Sequence, residues 1–321
     1  MTGSEAQPPS TPAGRVPDFF IVGHPKCGTT ALYEMLRRHP EVFMPDLKET
    51  RWFARELHPR TPPGTHPGTL EEYVALFAQA RPDQRAGEAS PSYLRSREAA
   101  ATIAELQPQA RIVAILREPT SFLRSLHMEL IRDHVETEKD LAKAISLEAE
   151  RRSEPELARR PGLVYADYVQ YVDQLRRYHE AFGREQVLVL IYDDFRADNE
   201  ATVRQVMSFI GVDDSAPVQL SEANPSVRVR SPRANELIRS LYLGRGPLGR
   251  TLKAPIKALT PRAVRRGGLQ VLQRRAVYGK PQPADELVMA DLRRRFRGEV
   301  VALSEYLDRD LVRLWGYDGI D

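Results

Sequence analysis

The 321-residue sequence contains one cysteine, Cys27, and no apolar run close to the roughly 20 residues that cross a bilayer. A single cysteine cannot form a disulfide within the chain, which favours a reducing, cytoplasmic compartment. Residues 1–15 are polar, rich in proline, serine and threonine, and lack the apolar segment of a signal peptide. We therefore expect a disordered N-terminal tail over 1–15.

The chain also lacks a strong excess of charge, since its formal net charge is +3. The basic residues are unevenly distributed: residues 228–280 hold eleven Arg and three Lys but one acidic residue, Glu236, a formal charge of +13. Apolar residues alternate with these basic ones. Such a segment suits an anionic membrane surface, an acidic acceptor or a flexible lid, and these alternatives stay open. Oligomerisation also stays open. No nucleic-acid-binding module is recognisable, so no nucleic acid partner is expected.

Short apolar runs alternate with amphipathic segments along most of the chain. The runs at 18–23, 111–116 and 187–191 predict buried strands. Helical patterns are found at 31–39, 70–80, 98–106, 121–131, 165–182, 200–210 and about 284–307. This alternation predicts an α/β fold, with a P-loop-type parallel sheet flanked by helices. We assign this core to 16–225, and a basic helical C-terminal extension that packs on it to 226–321.

The segment GHPKCGTT (23–30) stands where the first strand meets the first helix. Backbone N–H groups at such a junction bind anions, and Gly23 and Gly28 allow phosphate to approach the backbone. An ATP-binding P-loop has lysine directly after its second glycine, whereas here Thr29 follows Gly28 and the lysine is Lys26. The loop therefore predicts phosphate binding without the usual ATP pattern. No cluster of residues has metal-site spacing, so no metal is expected.

Four segments together resemble PAPS-dependent sulfotransferases of the bacterial and heparan-sulfate branch, where PAPS is 3'-phosphoadenosine-5'-phosphosulfate. They are PKCGTT (25–30), KETRWF (48–53), GEASPSYL (87–94) and LREPTSFLRS (116–125). The resemblance implies transfer of a sulfuryl group from PAPS to a hydroxyl of a carbohydrate, lipid-linked or natural-product acceptor, with 3',5'-ADP as product. An ATP-dependent P-loop kinase and a non-catalytic nucleotide-binding peripheral membrane protein are the alternatives.

The resemblance also implies which residues bind the donor. Lys26 matches the lysine that stabilises the leaving phosphate, and the rest of its loop matches the 5'-phosphate site. Arg117 and Ser125 match the residues that bind the 3'-phosphate. In the basic segment, the candidates that close over the donor are Arg228, Arg230, Ser231 and Arg233, and spacing does not decide among them; Arg230 is carried into the donor-binding set. The donor-binding set is thus Lys26, Cys27, Gly28, Thr29, Thr30, Arg117, Ser125 and Arg230.

The acceptor hydroxyl has to lose a proton, and Glu49 matches the glutamate that serves as base in this branch. Arg51 stands where the family often has histidine. Beside Glu49, the candidates for acceptor binding are Lys48, Glu88, Tyr93 and His127, while Ala89 replaces a lysine common in the family. For Tyr93 the alternative is packing in the core, and for His127 it is a partly buried polar residue. His24, inside the phosphate loop, is a further candidate for approach to the sulfuryl group.

Overall fold

The computed structural model describes residues 14–58, 61–62, 64–154, 161–219, 228–229, 278–279 and 285–320. Nearly all of the predicted tail and of the basic segment 228–280 lies outside the described residues, and so does Arg230. The predictions for these parts remain predictions.

The core is a five-stranded sheet in the order β2-β3-β1-β4-β5, and every neighbouring pair is parallel. The strands are β1 (Phe19–Gly23), β2 (Val42–Phe43), β3 (Arg85–Ala89), β4 (Arg111–Leu116) and β5 (Val187–Ile191). A separate antiparallel pair joins β6 (Arg228–Val229) to β7 (Tyr278–Gly279). The predicted parallel α/β sheet is confirmed, with β1 and β4 buried as their apolar composition requires.

Helices cover both faces of the sheet, as expected for parallel strands joined by crossovers. They are α1 (Thr29–Leu36), α2 (Leu70–Ala75), α3 (Ser92–Arg95), α4 (Ala99–Leu106), α5 (Pro119–Arg132), α6 (Leu141–Ser146), α7 (Glu148–Ser153), α8 (Tyr171–Phe182), α9 (Tyr192–Ala197), α10 (Asn199–Ile210), α11 (Glu286–Tyr306) and α12 (Leu311–Leu314). Among the described residues, no helix is both long enough and apolar enough to traverse a bilayer.

The prediction of one helix over 165–182 is wrong. A 3-10 turn at Tyr165–Tyr168 is followed by a break, and α8 begins only at Tyr171. The Gln174 side chain donates from Nε2 to the backbone oxygens of Asp167 (3.0 Å) and Tyr168 (3.4 Å). A side-chain amide thus occupies carbonyls that a continuous helix would pair with its own backbone.

The C-terminal helices pack against the core. Leu292, Phe296, Val300 and Leu303 of α11 are buried in the common hydrophobic core. After α12, the Tyr317 hydroxyl donates to Oε1 of Glu118 at 2.7 Å. The chain end therefore contacts the residue that follows Arg117.

Strand order brings the predicted donor segments together. β1 lies beside β4 with Gly23 opposite Ile115, so the loop after β1 and Arg117 after β4 leave the same edge of the sheet. After β1, the chain forms β2 and β3 on one side of β1 and then crosses over to form β4 on its other side. Parallel sheets bind ligands outside the carboxyl ends of their strands where the order reverses in this way.

Candidate active site

The phosphate loop has a backbone that only glycine adopts easily at its turn. Gly28 has φ +88°, and a Cβ there would lie 2.9 Å from Cε1 of Phe195 and 3.3 Å from Cδ2 of Tyr192. Gly28 precedes α1, whose first backbone N–H groups therefore open onto the loop. A left-handed glycine directly before an eight-residue helix, packed against two aromatic rings, leaves the first N–H groups of the helix to the loop, and this arrangement fits a phosphate group.

Lys26 has a left-handed backbone, with φ 66°. Its Nζ lies 3.3 Å from Oε2 of Glu129 on α5. Its carbonyl oxygen accepts a hydrogen bond from Nη1 of Arg117 at 2.9 Å. The structure thus brings together the two cations expected to bind opposite ends of the donor, and Arg117 stabilises the unusual backbone at Lys26.

Arg117 is held on several sides at the end of β4. Its Nε donates to Oγ of Ser121 at 3.1 Å, and its guanidinium carbon lies 4.8 Å from the centre of the Tyr192 ring. The Tyr171 hydroxyl donates to the Arg117 carbonyl at 2.8 Å. The guanidinium is therefore oriented before any ligand arrives, which suits phosphate recognition.

The other predicted donor residues differ in exposure. Cys27 is fully buried, and burial raises the pKa of its thiol to about 12, so the side chain packs as a small neutral group. Thr29 is buried and Thr30 is exposed at the start of α1. Ser125 is buried on α5. Cys27 therefore offers its backbone, rather than its thiol, to the loop.

Glu49 lies in a cluster of cations. Nζ of Lys48 donates to its Oε1 at 2.9 Å, and Nη2 of Arg51 is 3.7 Å from its Oε2. Burial raises the pKa of the Glu49 carboxyl, but Lys48, Arg51 and His58 together outweigh it and hold the pKa below its usual range. Glu49 also has a left-handed backbone, φ 62°, and its N–H donates to the Ala89 carbonyl at 3.1 Å. Its position is thereby tied to the end of β3.

A cavity of about 410 Å³ opens beside the phosphate loop. The charged side chains of its wall include Glu49, Arg51, Arg95 and Glu129. Leucines, prolines, histidines and Tyr168 are also part of the wall. The predicted base and the carboxylate that pairs with Lys26 therefore face one space, whose volume suits a small ligand or the end of a larger one.

His24 forms part of the cavity wall as a neutral imidazole. Its Nε2 lies 2.8 Å from Oε1 of Gln174, whose Nε2 already donates to two carbonyls. The amide oxygen must therefore accept, which assigns the proton to Nε2 of His24. Burial lowers the pKa of His24 to about 3. Its Nδ1 has no hydrogen-bond partner among the described residues, so it is an acceptor at neutral pH.

Glu88 and Tyr93 lie in the core rather than in the cavity wall. The Glu88 carboxylate accepts from the hydroxyls of Thr50 (2.7 Å), Ser90 (2.6 Å) and Tyr73 (2.6 Å). Burial raises the pKa of Glu88, although these hydrogen bonds oppose the rise. The Tyr93 hydroxyl lies 2.9 Å from Oγ1 of Thr50. Both residues thus support the segment that carries Glu49, and neither is directed to an acceptor.

His127 is also buried, on α5. Its Nδ1 lies 2.8 Å from the Tyr165 hydroxyl and its Nε2 lies 3.1 Å from the Lys139 carbonyl. The same hydroxyl donates to Glu136, which forms a buried ion pair with Arg151 at 2.8 Å. Its ring therefore binds the segment after α5.

Sequence reasoning missed Ser121, Glu129 and Tyr192, which contact Arg117, Lys26 and the loop. Ser121 stands four residues after Arg117. Glu129 stands four residues after Ser125 on the same helix, so a helical projection from the donor motif would have found both. Tyr192 carries no such signal, because only the pairing of β4 with β5 brings it near Arg117.

Comparisons with known proteins show which chains this sequence is similar to. The model described as "Sulfotransferase family" matches residues 17–216. Carbohydrate sulfotransferase 15 of Mus musculus is 24% identical over 279 residues, covering 68% of this chain and 47% of the relative. Heparan sulfate glucosamine 3-O-sulfotransferase 6 of Homo sapiens is 28% identical over 208 residues, covering 62% and 53%. The chain therefore spans about half the length of these curated relatives.

A solved structure supports the same assignment. The sulfotransferase from Alicyclobacillus acidocaldarius is 30% identical with a TM-score of 0.58, and the match covers 78% of this chain and 100% of that one. The family model extends over the described sheet, the phosphate loop and the Arg117 segment, which is more than half of the sequence. This chain therefore belongs to the sulfotransferase family.

Proposed function

We propose that this protein transfers a sulfuryl group from PAPS to a hydroxyl of a carbohydrate or other small-molecule acceptor. The observation that carries the proposal is the convergence of Lys26 and Arg117 at the carboxyl edge of β1 and β4, joined by a hydrogen bond of 2.9 Å. Two cations and a helix start at one sheet edge match a donor that carries phosphate groups at two positions.

Donor binding divides among residues of this chain. The loop backbone at Gly28 and the start of α1 bind the 5'-phosphate, and Arg117 with Ser125 binds the 3'-phosphate. When bound, PAPS supplies an electrophilic sulfur and a phosphate leaving group. The Lys26 ammonium neutralises the negative charge that develops on the leaving oxygen, which is electrostatic stabilisation of the transition state.

Glu49 acts on the acceptor hydroxyl as the general base. The neighbouring cations keep its carboxylate ionised at neutral pH, so it is ready to accept a proton. Lys48 and Arg51 orient the carboxylate through its two oxygens. His24 is too weak a base for this role, since burial lowers its pKa to about 3.

The relatives and the cavity support a sugar as the acceptor. Two of the relatives are named as carbohydrate and heparan sulfate sulfotransferases. The cavity of about 410 Å³ combines carboxylates, guanidinium groups and an aromatic ring in its wall. Hydroxyl-rich rings pair with such mixed polar and aromatic surfaces, so we assign a sugar hydroxyl as the preferred acceptor.

A transfer assay with ³⁵S-labelled PAPS and a panel of sugars and other hydroxyl compounds tests the proposal. We expect label in an acceptor, and we expect Glu49→Gln to abolish transfer while 3',5'-ADP still raises the melting temperature. Stabilisation by ATP and Mg²⁺ but not by 3',5'-ADP would instead support a kinase. Unchanged cellular function with Glu49→Gln would support a non-catalytic protein.

The cytoplasmic location and contact of 228–280 with an anionic membrane remain proposals. Cell fractionation combined with sedimentation on anionic vesicles tests both of them. Recovery in the soluble fraction without vesicle binding would support the first and refute the second.

A further inference from the structure

An ion pair links the two halves of the site. Lys26 Nζ lies 3.3 Å from Glu129 Oε2, and the two side chains are 15% and 25% exposed. Arg132 contacts the same carboxylate oxygen at 3.6 Å through Nη2. Glu129 also lines the cavity that contains Glu49. One carboxylate therefore contacts both the proposed donor lysine and the proposed acceptor cleft.

This ion pair competes with donor binding. An ammonium that neutralises a phosphosulfate oxygen cannot stay fully paired with a carboxylate, and placing that carboxylate beside a bound anion is unfavourable. The Lys26 backbone is restrained, since its carbonyl accepts from Arg117. The adjustment therefore falls on the Lys26 and Glu129 side chains, and Arg132, 3.6 Å from Oε2 of Glu129, lies close enough to compensate its charge.

We propose that Glu129 couples the donor and acceptor sites. Without donor, the Glu129 carboxylate pairs with Lys26. When the donor binds the Lys26 ammonium, the carboxylate turns into the cavity and accepts hydrogen bonds from acceptor hydroxyls. The inference rests on the proposed function, since it requires a sulfated donor at Lys26. It makes Glu129 an acceptor-binding residue that becomes available after the donor binds, so the donor binds first.

Calorimetric titration of PAPS without acceptor tests the donor half, using wild type, Glu129→Gln, Lys26→Met and the double variant. Glu129→Gln removes the competing anion, so we expect PAPS to bind about fivefold more tightly. In the Lys26→Met background the same substitution should change affinity less than about twofold, because there is no ammonium to compete for. Glu138→Gln, which removes an equal charge from a pair with Lys143, serves as the control.

The outcomes separate the two ideas. If wild type binds no PAPS, the proposed function fails. If wild type and Glu129→Gln bind PAPS with equal affinity, Glu129 does not compete with the donor and the coupling is refuted. If Glu129→Gln raises PAPS affinity by the same factor in the Lys26→Met background, Glu129 acts only through its general charge, and the coupling is also refuted. A crystal soaked with 3',5'-ADP and sulfate should show the Lys26–Glu129 distance beyond 4 Å, and an intact pair beside bound ligand also refutes it.

The acceptor half is measured on the acceptor found in the labelled-PAPS screen. Glu129→Gln should raise KM for that acceptor about threefold or more, with a smaller change in kcat. Glu138→Gln should leave both constants at wild-type values. Equal acceptor KM for wild type and Glu129→Gln would remove Glu129 from acceptor binding.

Discussion

At the scale of single residues, Lys26 combines an ion pair, a backbone hydrogen bond from Arg117 and a left-handed backbone. Its ammonium is the group we expect to neutralise the leaving oxygen. Lys26→Ala should lower kcat about 100- to 1,000-fold, because the charge that develops in the transition state loses its partner. Lys143→Ala, which removes an exposed lysine, is the matched control. A Lys26→Ala variant with wild-type kcat would exclude this role.

The acid side of the pH profile tests Glu49. Its pKa is held below the usual carboxyl range mainly by Lys48, so the base stays ionised and active until the pH falls below that range. Lys48→Gln removes this charge and the hydrogen bond, which raises the pKa of Glu49. The acid limb of kcat/KM should therefore move to higher pH in Lys48→Gln. An unmoved limb would mean that another group is the base.

The sequence predicted which residues belong to the candidate site better than it predicted which residues they contact. The positions of Lys26, Arg117 and Glu49 followed from the four family-like segments, and the structure brings the first two into contact. Glu88 illustrates the limit. In the core, its carboxylate accepts hydrogen bonds from three hydroxyls, of residues up to 38 positions away in the sequence. No local sequence pattern predicts that network.

At the scale of elements, the turn between β1 and α1 requires glycine at position 28. Gly28→Ala forces a Cβ against Phe195 and Tyr192 at φ +88°. We expect a loss of about 1–3 kcal/mol in the free energy of unfolding and loss of 3',5'-ADP binding. Gly298→Ala is the control, since nothing lies within 4 Å of its Cβ position in α11. It should stabilise the protein by about 0.5–1 kcal/mol, and denaturant titration measures both.

The start of α5 is tied to the chain end through Glu118, which caps the helix by accepting from the N–H groups of Thr120 (2.9 Å) and Ser121 (2.6 Å). Tyr317→Phe removes the hydroxyl that orients this carboxylate. Stability should fall by about 1 kcal/mol, and 3',5'-ADP affinity by a factor of about 2 to 5, because Ser121 holds Arg117. Tyr306→Phe breaks a hydrogen bond to His179 elsewhere and should leave the affinity unchanged. Equal 3',5'-ADP affinity in Tyr317→Phe and Tyr306→Phe would show that the Tyr317–Glu118 hydrogen bond does not affect Arg117.

Strands with continuous apolar runs could be predicted from the sequence, but β3 could not. Its residues RAGEA include Gly87, where a Cβ would lie 2.1 Å from Cζ of Phe19, and Glu88, which is buried among hydroxyls. Close packing of β1 on β3 thus requires a strand without the usual apolar side chains. The break before α8 was missed for a related reason, since one glutamine side chain replaces backbone pairing there.

At the scale of the whole molecule, the order β2-β3-β1-β4-β5 determines which segments meet. Sequence alternation predicted a parallel sheet, but the neighbours of each strand depend on tertiary pairing. Placing β1 between β3 and β4 sets the phosphate loop between Glu49, tied to Ala89, and Arg117. The residues proposed to bind donor and acceptor therefore share one edge of the sheet.

The central claim is that Lys26 and Arg117 bind opposite ends of a nucleotide phosphorylated at both its 3' and 5' positions. Calorimetric titration without metal, comparing 3',5'-ADP with adenosine 5'-diphosphate on wild type and Arg117→Ala, tests it most directly. We predict that wild type prefers 3',5'-ADP by at least about tenfold, and that Arg117→Ala loses most of this preference. Equal affinity of wild type for the two nucleotides, or an undiminished preference in Arg117→Ala, would contradict the account.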